Sequence, residues 1–429
     1  MSKIFKAVYG AFSFSFLLLC VIFCFYYTKL PDKFYLSVSA PLEIRSFFNI
    51  TVDYNREETV ALQAITSADV SVDEELVILK LFGIIPIKEV KLERIDRPVL
   101  VPCGSPFGIK MKTDGAVVTG LGDIDGTPSP ARLAGVKQGD IIKSVNGIFI
   151  EKGSDITEAV QFATEPTVVV LIRDGVEMSF DITPVESSRD NLFRLGIWVR
   201  ASSAGIGTLT FYDPQGGTFG GLGHGVCDID TGKILPLLSG DVVSVIINDV
   251  VKGFPGDPGE LSGSFLSNVP IGMIEFNTEL GLFGTMSYAP SLDSGIPMAF
   301  KQEVTTGPAK IFATINGNSP AEYDIYIEKL DYSDSNLTKN MVIRITDGEL
   351  LGKTGGIVQG MSGSPIIQNG MLAGAVTHVF VNDTTRGYAI FAENMYRKKN
   401  ELMPQTVWWE NEEGIGEPIP SFLMQALNQ

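Results

Sequence analysis

Residues 360–376 read GMSGSPIIQNGMLAGAV. A serine stands among small residues, with Gly360 and Gly363 on either side to let the backbone turn sharply. A proline, an apolar run, an Asn369-Gly370 pair and a second apolar run follow. Asn-Gly between apolar runs is the strongest short-range signal of a two-residue β-hairpin. The stretch therefore reads in two ways. It is an ordinary surface turn of a β protein, or it is a nucleophile on a tight loop leading into a hairpin. A glycine-rich loop can aim two backbone N–H groups at one point, as acyl transfer needs for its developing oxyanion. Here those would be the amides of Gly360 and Ser362.

The chain around this stretch suits β structure. It has 429 residues, 45% hydrophobic and 19% charged, with Gly 45 and Pro 23. That composition supplies many turns and enough apolar surface for two to four domains. Beyond a polar linker at 184–191, apolar runs alternate with Gly-marked turns over 192–391, and helical periodicity returns only in SFLMQAL near the end. This predicts a two-barrel or large sandwich domain over 186–429. The formal net charge of −17 excludes a nucleic-acid partner, since nothing basic would neutralise phosphates.

The start of the chain is of another kind. The stretch 7–27, AVYGAFSFSFLLLCVIFCFYY, carries no charge, and a bilayer core needs roughly 20 helical residues. No A-x-A cleavage site precedes Pro31. Residues 1–30 are thus expected to be a membrane anchor or uncleaved signal, with the body exported. Residues 31–98, with FYLSVSA and ELVILKLFGIIPIKEVKLERI, predict a small β-rich stalk. Cys20 and Cys24 lie in the apolar run, leaving Cys103 and Cys227 for at most one disulfide.

Residues 99–185 read as one compact unit. FGIKMKT (107–113) forms a strand. Ser129 caps a short helix with Pro130 at its first position, ending near Gly135. IIKSV enters an Asn146-Gly147 turn, a second helix follows at 154–163 with Asp155 capping it, and 167–182 is a hairpin through Asp174-Gly175. The run SPARLAGVKQGDIIKSVNG resembles a PDZ domain, a module that binds extended peptides by adding a strand to a sheet edge. The resemblance places that edge at Gly108, Ile109 and Lys110.

Only two histidines are present, His224 and His378. A zinc-protease helix is absent, a His-rich metal site cannot be built, and no metal or cofactor is expected. His224 sits in GGLGHGVCD, where small neighbours leave the ring open, as a general base requires. His378 follows the serine and is the poorer base, read as lining the substrate cleft. Candidates for the group that orients the imidazole are Asp347, which lies 15 residues before Ser362, and Asp228, Asp230 and Asp241. Rival nucleophilic arrangements are Cys227, or Ser362 with Lys353.

GMSGSPIIQNGMLAGAV and RGYAIFAENM (386–395) resemble the nucleophile loop and following strands of chymotrypsin-like serine peptidases, which implies a double β-barrel. The order of base before nucleophile agrees. LFGIIPIK (81–88), the PDZ-like unit, the stretch 205–230, KGFPGDPGELSG (252–263) and the stretch 355–391 together resemble the stage IV sporulation protein B peptidase family. That resemblance implies His224 as base, Asp347 as acid and Ser362 as nucleophile. It further implies an extracytoplasmic enzyme of the forespore inner membrane that cleaves itself and then a membrane-bound regulator. The regulator's loss releases an intramembrane metalloprotease at the sigma-K checkpoint. Two other readings remain: a quality-control protease of the HtrA sort, and an inactive membrane-tethered PDZ adaptor.

Overall fold

The computed structural model describes residues 3–38, 40–44, 46–54, 74–289 and 295–403; the helical turns read in SFLMQAL fall outside them. The chain opens with the helix Lys3–Lys29, whose segment Val8–Lys29 has a mean hydropathy of 2.3 and is long and apolar enough to cross a membrane. Its last turn is anchored in protein. Tyr26 and Leu30 are buried against Phe34, Leu36, Leu79 and Leu92 of a four-stranded sheet, in the order 33–37, 85–95, 74–81, 50–54. The apolar runs read in 31–98 supply these strands.

The first barrel is closed by six strands. Pro106–Leu121 pairs through its first half with Leu237–Val251 on one side and with Ile197–Asp213 on the other. From Leu237–Val251 the ladder passes to Glu260–Thr278, Gly281–Met286, Thr218–Gly221 and back to Ile197–Asp213. Period-2 alternation turns Phe107, Ile109 and Met111 inward, onto Leu209, Phe219, Val242, Ile274 and Leu282. The outward position at 108 is tight: a Cβ there would stand 2.6 Å from Val243 and 2.7 Å from Phe265, which only glycine avoids.

The PDZ-like unit is inserted into this barrel. Past residue 115 the strand Pro106–Leu121 leaves the barrel and pairs with Ile141–Val145, and beyond it with Thr167–Arg173 and Val176–Ile182. Residues 197–200 pair with 117–121 on the return, before the same strand Ile197–Asp213 re-enters the barrel. Two strands are therefore shared. The strand Val99–Pro102, which precedes the unit, also joins the barrel sheet by pairing with Phe211 and Tyr212. Within the unit the local readings hold. Ser129 accepts a hydrogen bond from the Arg132 amide, Gly135 closes the helix Pro130–Ala134 at φ 101°, and Asn146-Gly147 and Asp174-Gly175 take positive φ in their turns. Asp155 sits three positions further into the helix than expected. The helix Gly153–Val160 starts from Lys152, and the Asp155 carboxylate reaches back to the Lys152 amide from the third helical position.

The second barrel is closed by Gly307–Ala313, Ala321–Leu330, Met341–Ile345, Asp383–Phe391, Met371–Phe380 and Pro365–Gln368. Ile311, Ile325, Ile343, Ile366 and Val376 are fully or almost fully buried in it. The Asn369-Gly370 hairpin is present, at φ 51° and 75°. The fold is thus mainly β, a double β-barrel with a PDZ-like insertion and an N-terminal apolar helix.

The helix Ala392–Leu402 locks the barrels together. Its Lys399 meets Asp213, at the end of the first barrel's long strand, at 2.5 Å, with both side chains about 97% or more withdrawn from water. Burial lowers the Lys399 pKa, and the Asp213 carboxylate opposes that shift. Removing one partner leaves an uncompensated buried charge. Asp213→Ala is expected to cost about 3–5 kcal/mol, read as a fall in the denaturation midpoint. Replacing both partners with apolar residues of similar volume should recover most of the loss.

Candidate active site

The loop that carries Ser362 crosses between the barrels and is gripped by the first one. The Thr208 amide donates to Ser362 O (3.1 Å), Thr208 Oγ1 to Gly360 O (2.8 Å) and Thr210 Oγ1 to Gly363 O (2.8 Å). The approach is so close that position 363 tolerates no side chain. Gly363 has φ +98°, and a Cβ would lie 2.0 Å from Thr208 O and 2.6 Å from the Leu222 amide. The amides of Met361, Gly363 and Ser364 are spent on Val358, Val376 and Met361 carbonyls. Those of Gly360 and Ser362 bond no acceptor among the described residues, as an oxyanion hole requires.

His224 comes from the first barrel, on the loop after Thr218–Gly221, where Leu222 and Gly223 both adopt positive φ. Its ring and Ser362 line one open cavity of about 950 Å³ with His378, Leu222, Cys227, Glu279 and Asp334. The nucleophile and base candidates, 138 residues apart in sequence, thus face one cleft between the barrels. They are not hydrogen-bonded to one another here. Ser362 Oγ donates to the Thr377 carbonyl at 2.7 Å, and His224 Nδ1 lies 2.9 Å from Gly225 O. A carbonyl accepts only, so Nδ1 carries the proton and Nε2 is left as the basic nitrogen. Burial lowers the His224 pKa, the Gly225 bond opposing it.

Asp347 stands elsewhere. It is the N-cap of the helix Gly348–Thr354, with Oδ1 accepting from the Leu350 amide (2.9 Å) and Oδ2 from the Asp324 amide (3.4 Å). It does not line the cavity and makes no contact with His224. An aspartate followed by glycine at a helix start satisfies orphan amides, and that local demand holds it. Asp228 is turned away too, buried in an ion pair with Arg200, which also holds Asp230. Lys353 pairs with Glu349 on the helix surface. Cys103 and Cys227 are both free. Burial pushes Cys103 up to about 12, and Cys227 is also raised by desolvation, which disfavours a thiolate nucleophile.

The peptide edge assigned to Gly108, Ile109 and Lys110 is occupied on both sides, by 204–206 and by 241–243. No strand can be added there. The open groove of the PDZ-like unit lies instead between the helix Gly153–Val160 and residues 193–199. It is a cavity of about 570 Å³ lined by Ile156, Val160, Arg189, Leu195, Gly196 and Trp198. Residues 197–199 are paired on one side only, and Trp198 is 70% exposed. The signal was in the sequence: Arg194-Leu195-Gly196-Ile197 places a glycine between apolar residues at the start of a strand. The polar stretch 184–191 stands just before it.

Residues 191–396 match the profile of the SpoIVB peptidase S55 family. That region, a little under half of the chain, is similar to the peptidase domain of that family, in line with the resemblance of its motifs, and the chain is a serine peptidase. No curated protein matches the chain. Among solved structures, the PDZ domain of the SdrC-like protein from Listeria monocytogenes is 16% identical, covering 20% of this chain and 87% of that one, with a TM-score of 0.18. The active form of the Rv3671c protease from M. tuberculosis is 14% identical, covering 51% of this chain and 78% of that one, with a TM-score of 0.26. Likenesses at this level carry no argument about this chain.

Two outcomes are expected. Gly363→Ala should abolish turnover and lower the unfolding midpoint by the equivalent of about 1–3 kcal/mol or more. Gly370→Ala, at φ +75° with open space around it, should cost far less and keep activity. In kcat/KM against pH, the acid limb should fall below the ordinary imidazole value of about 6.5. Burial disfavours the charged ring, so the neutral base persists at pH values where a free imidazole is protonated. Activity is lost only as pH drops through the lowered pKa.

Proposed function

We propose that this chain is a membrane-anchored signalling peptidase whose reaction is run by Ser362, His224 and the Gly360 and Ser362 amides. The observation that carries the reading is the convergence of one serine and one imidazole, from different barrels, on a cleft whose two loop amides are unspent. In turnover Ser362 Oγ leaves the Thr377 carbonyl and its proton passes to His224 Nε2. The alkoxide attacks the scissile carbonyl, and the carbonyl oxygen, now negative, is held by the two amides. His224 then gives the proton to the leaving amine, and water repeats the sequence on the acyl-enzyme. The serine therefore rests off line, and an extended substrate that turns its hydroxyl toward His224 completes the site.

The family and the N-terminal apolar helix support an exported enzyme held at a membrane, and the forespore inner membrane is the site the family implies. Its targets on this reading are itself and the extracytoplasmic part of a membrane-bound regulator of an intramembrane metalloprotease, which acts on the sigma-K pathway. The PDZ-like groove at 193–199 recruits an extended peptide of that target, with Arg189 and Arg194 near its end to meet a carboxylate.

The test is N-terminal sequencing of the purified protein beside its Ser362→Ala variant. Wild type should yield a shortened N-terminus and the variant an intact one of equal folded stability; identical processing would sink the assignment. Asp347→Ala separates a helix cap from a catalytic acid. As a cap it should cost about 1 kcal/mol of stability and leave kcat of the folded enzyme nearly unchanged. A loss of several thousandfold in kcat at wild-type stability would restore Asp347 to the reaction.

A further inference from the structure

A serine peptidase base that becomes charged in turnover needs something to hold its plane and limit its hydration. Here no carboxylate bonds His224 among the described residues. Glu279 and Asp334 line the same cavity, but Asp334 is engaged by Lys301 at 3.2 Å, and neither is hydrogen-bonded to the ring. What lies against His224 is a second imidazole. The His378 ring is 4.9 Å away between centroids, tilted by 36°.

The placement of His378 follows from the second barrel. Met371–Phe380 is a central strand, paired with Pro365–Gln368 and Asp383–Phe391. Thr377 on that strand turns its side chain to the interior, bonds the Leu337–Lys339 segment through Thr338 O, and offers its own carbonyl to Ser362. The next residue must then project into the cleft. One strand thus parks the nucleophile with residue 377 and packs the base with residue 378.

We propose that His378 is a positioning residue for the peptidase reaction, its neutral ring packed on His224 to hold Nδ1–H on the Gly225 carbonyl and keep Nε2 toward Ser362. This rests on the reading of Ser362 and His224 as nucleophile and base. The groups around the pair agree with a neutral partner. Loss of hydration, then the His224 charge, then Lys339 hold the His378 pKa down to about 4. Lys339 lies over the ring of Tyr388, the cross-strand neighbour of His378. Cys227, Glu279 and Asp334 complete the titratable wall of the cleft. Above about pH 4 His378 therefore adds no charge to repel the imidazolium that forms on His224.

The experiment is steady-state cleavage of one peptide substrate by the full chain and its His378→Ala, His378→Gln, His224→Ala and Ser362→Ala variants, across pH. His378→Ala should lose on the order of 10- to 100-fold in kcat, the scale of a misplaced catalytic group, with KM within about twofold. Its acid limb should move up toward 6.5, because water reaches the uncovered His224 ring and favours its charged form. His378→Gln, a similar planar group, should restore most of kcat and the wild-type limb. If His378→Ala keeps kcat and pH profile, or loses only in KM, the residue lines the cleft and positions nothing. Should the alanine variant fail to fold, the glutamine variant decides alone: an unmoved limb and kcat support the packing role, and a loss as deep as that of His224→Ala overturns it in favour of direct catalysis. Activity surviving in His224→Ala or Ser362→Ala would fell the underlying reading separately.

Discussion

Three hydrogen bonds from a single strand of the first barrel, given by Thr208 and Thr210, hold the loop that carries Ser362 on the second. The contact is so close that Gly363 can have no Cβ. Everything at the cleft follows from it. The loop cannot shift along the barrel without breaking backbone pairings, so its unspent amides stay converged. His224, fixed by its own barrel, finds the serine at a defined place. Such geometry supplies catalysis by preorganisation, because no dipole must be reoriented when charge develops.

The two barrels must therefore keep their relative position, and the structure invests buried polar groups in doing so. Lys399 and Asp213 sit where apolar packing alone would serve stability as well or better. Charges in those places have one satisfied arrangement. A rotation of one barrel on the other would strand them, so they specify the docking rather than merely strengthen it. The same economy explains the cleft. There the candidate base His224 meets a peptide carbonyl through Nδ1 and packs on the ring of His378.

Much of this was legible in the sequence because it is local. Asn369-Gly370, Asn146-Gly147 and Asp174-Gly175 announce their turns through the φ they require, Ser129 announces a cap, and small residues around His224 and Ser362 announce open backbone. What could not be read is long-range. Residues 106–113 have the alternation of a half-buried strand, but their partners lie about 90 and 130 residues on, and no periodicity shows that both edges are filled. The PDZ resemblance then assigned a free edge to Gly108, Ile109 and Lys110. Asp347 is a different case. Closeness to Ser362 in the chain and a family motif nominate it, yet two nearby amides claim its carboxylate. His378 was seen as cleft-lining, but its contact with His224 depends on how two barrels face each other, which neither segment encodes alone.

The PDZ-like unit is joined to the first barrel through two long strands. Because Pro106–Leu121 and Ile197–Asp213 each run through both bodies, that unit is no bead on a tether. It is not left to tumble independently, because each of its two connections is a continuous strand shared with the cylinder. Evolution can tune the groove by changing side chains, but it cannot shuffle the module as a cassette without unmaking the enzyme.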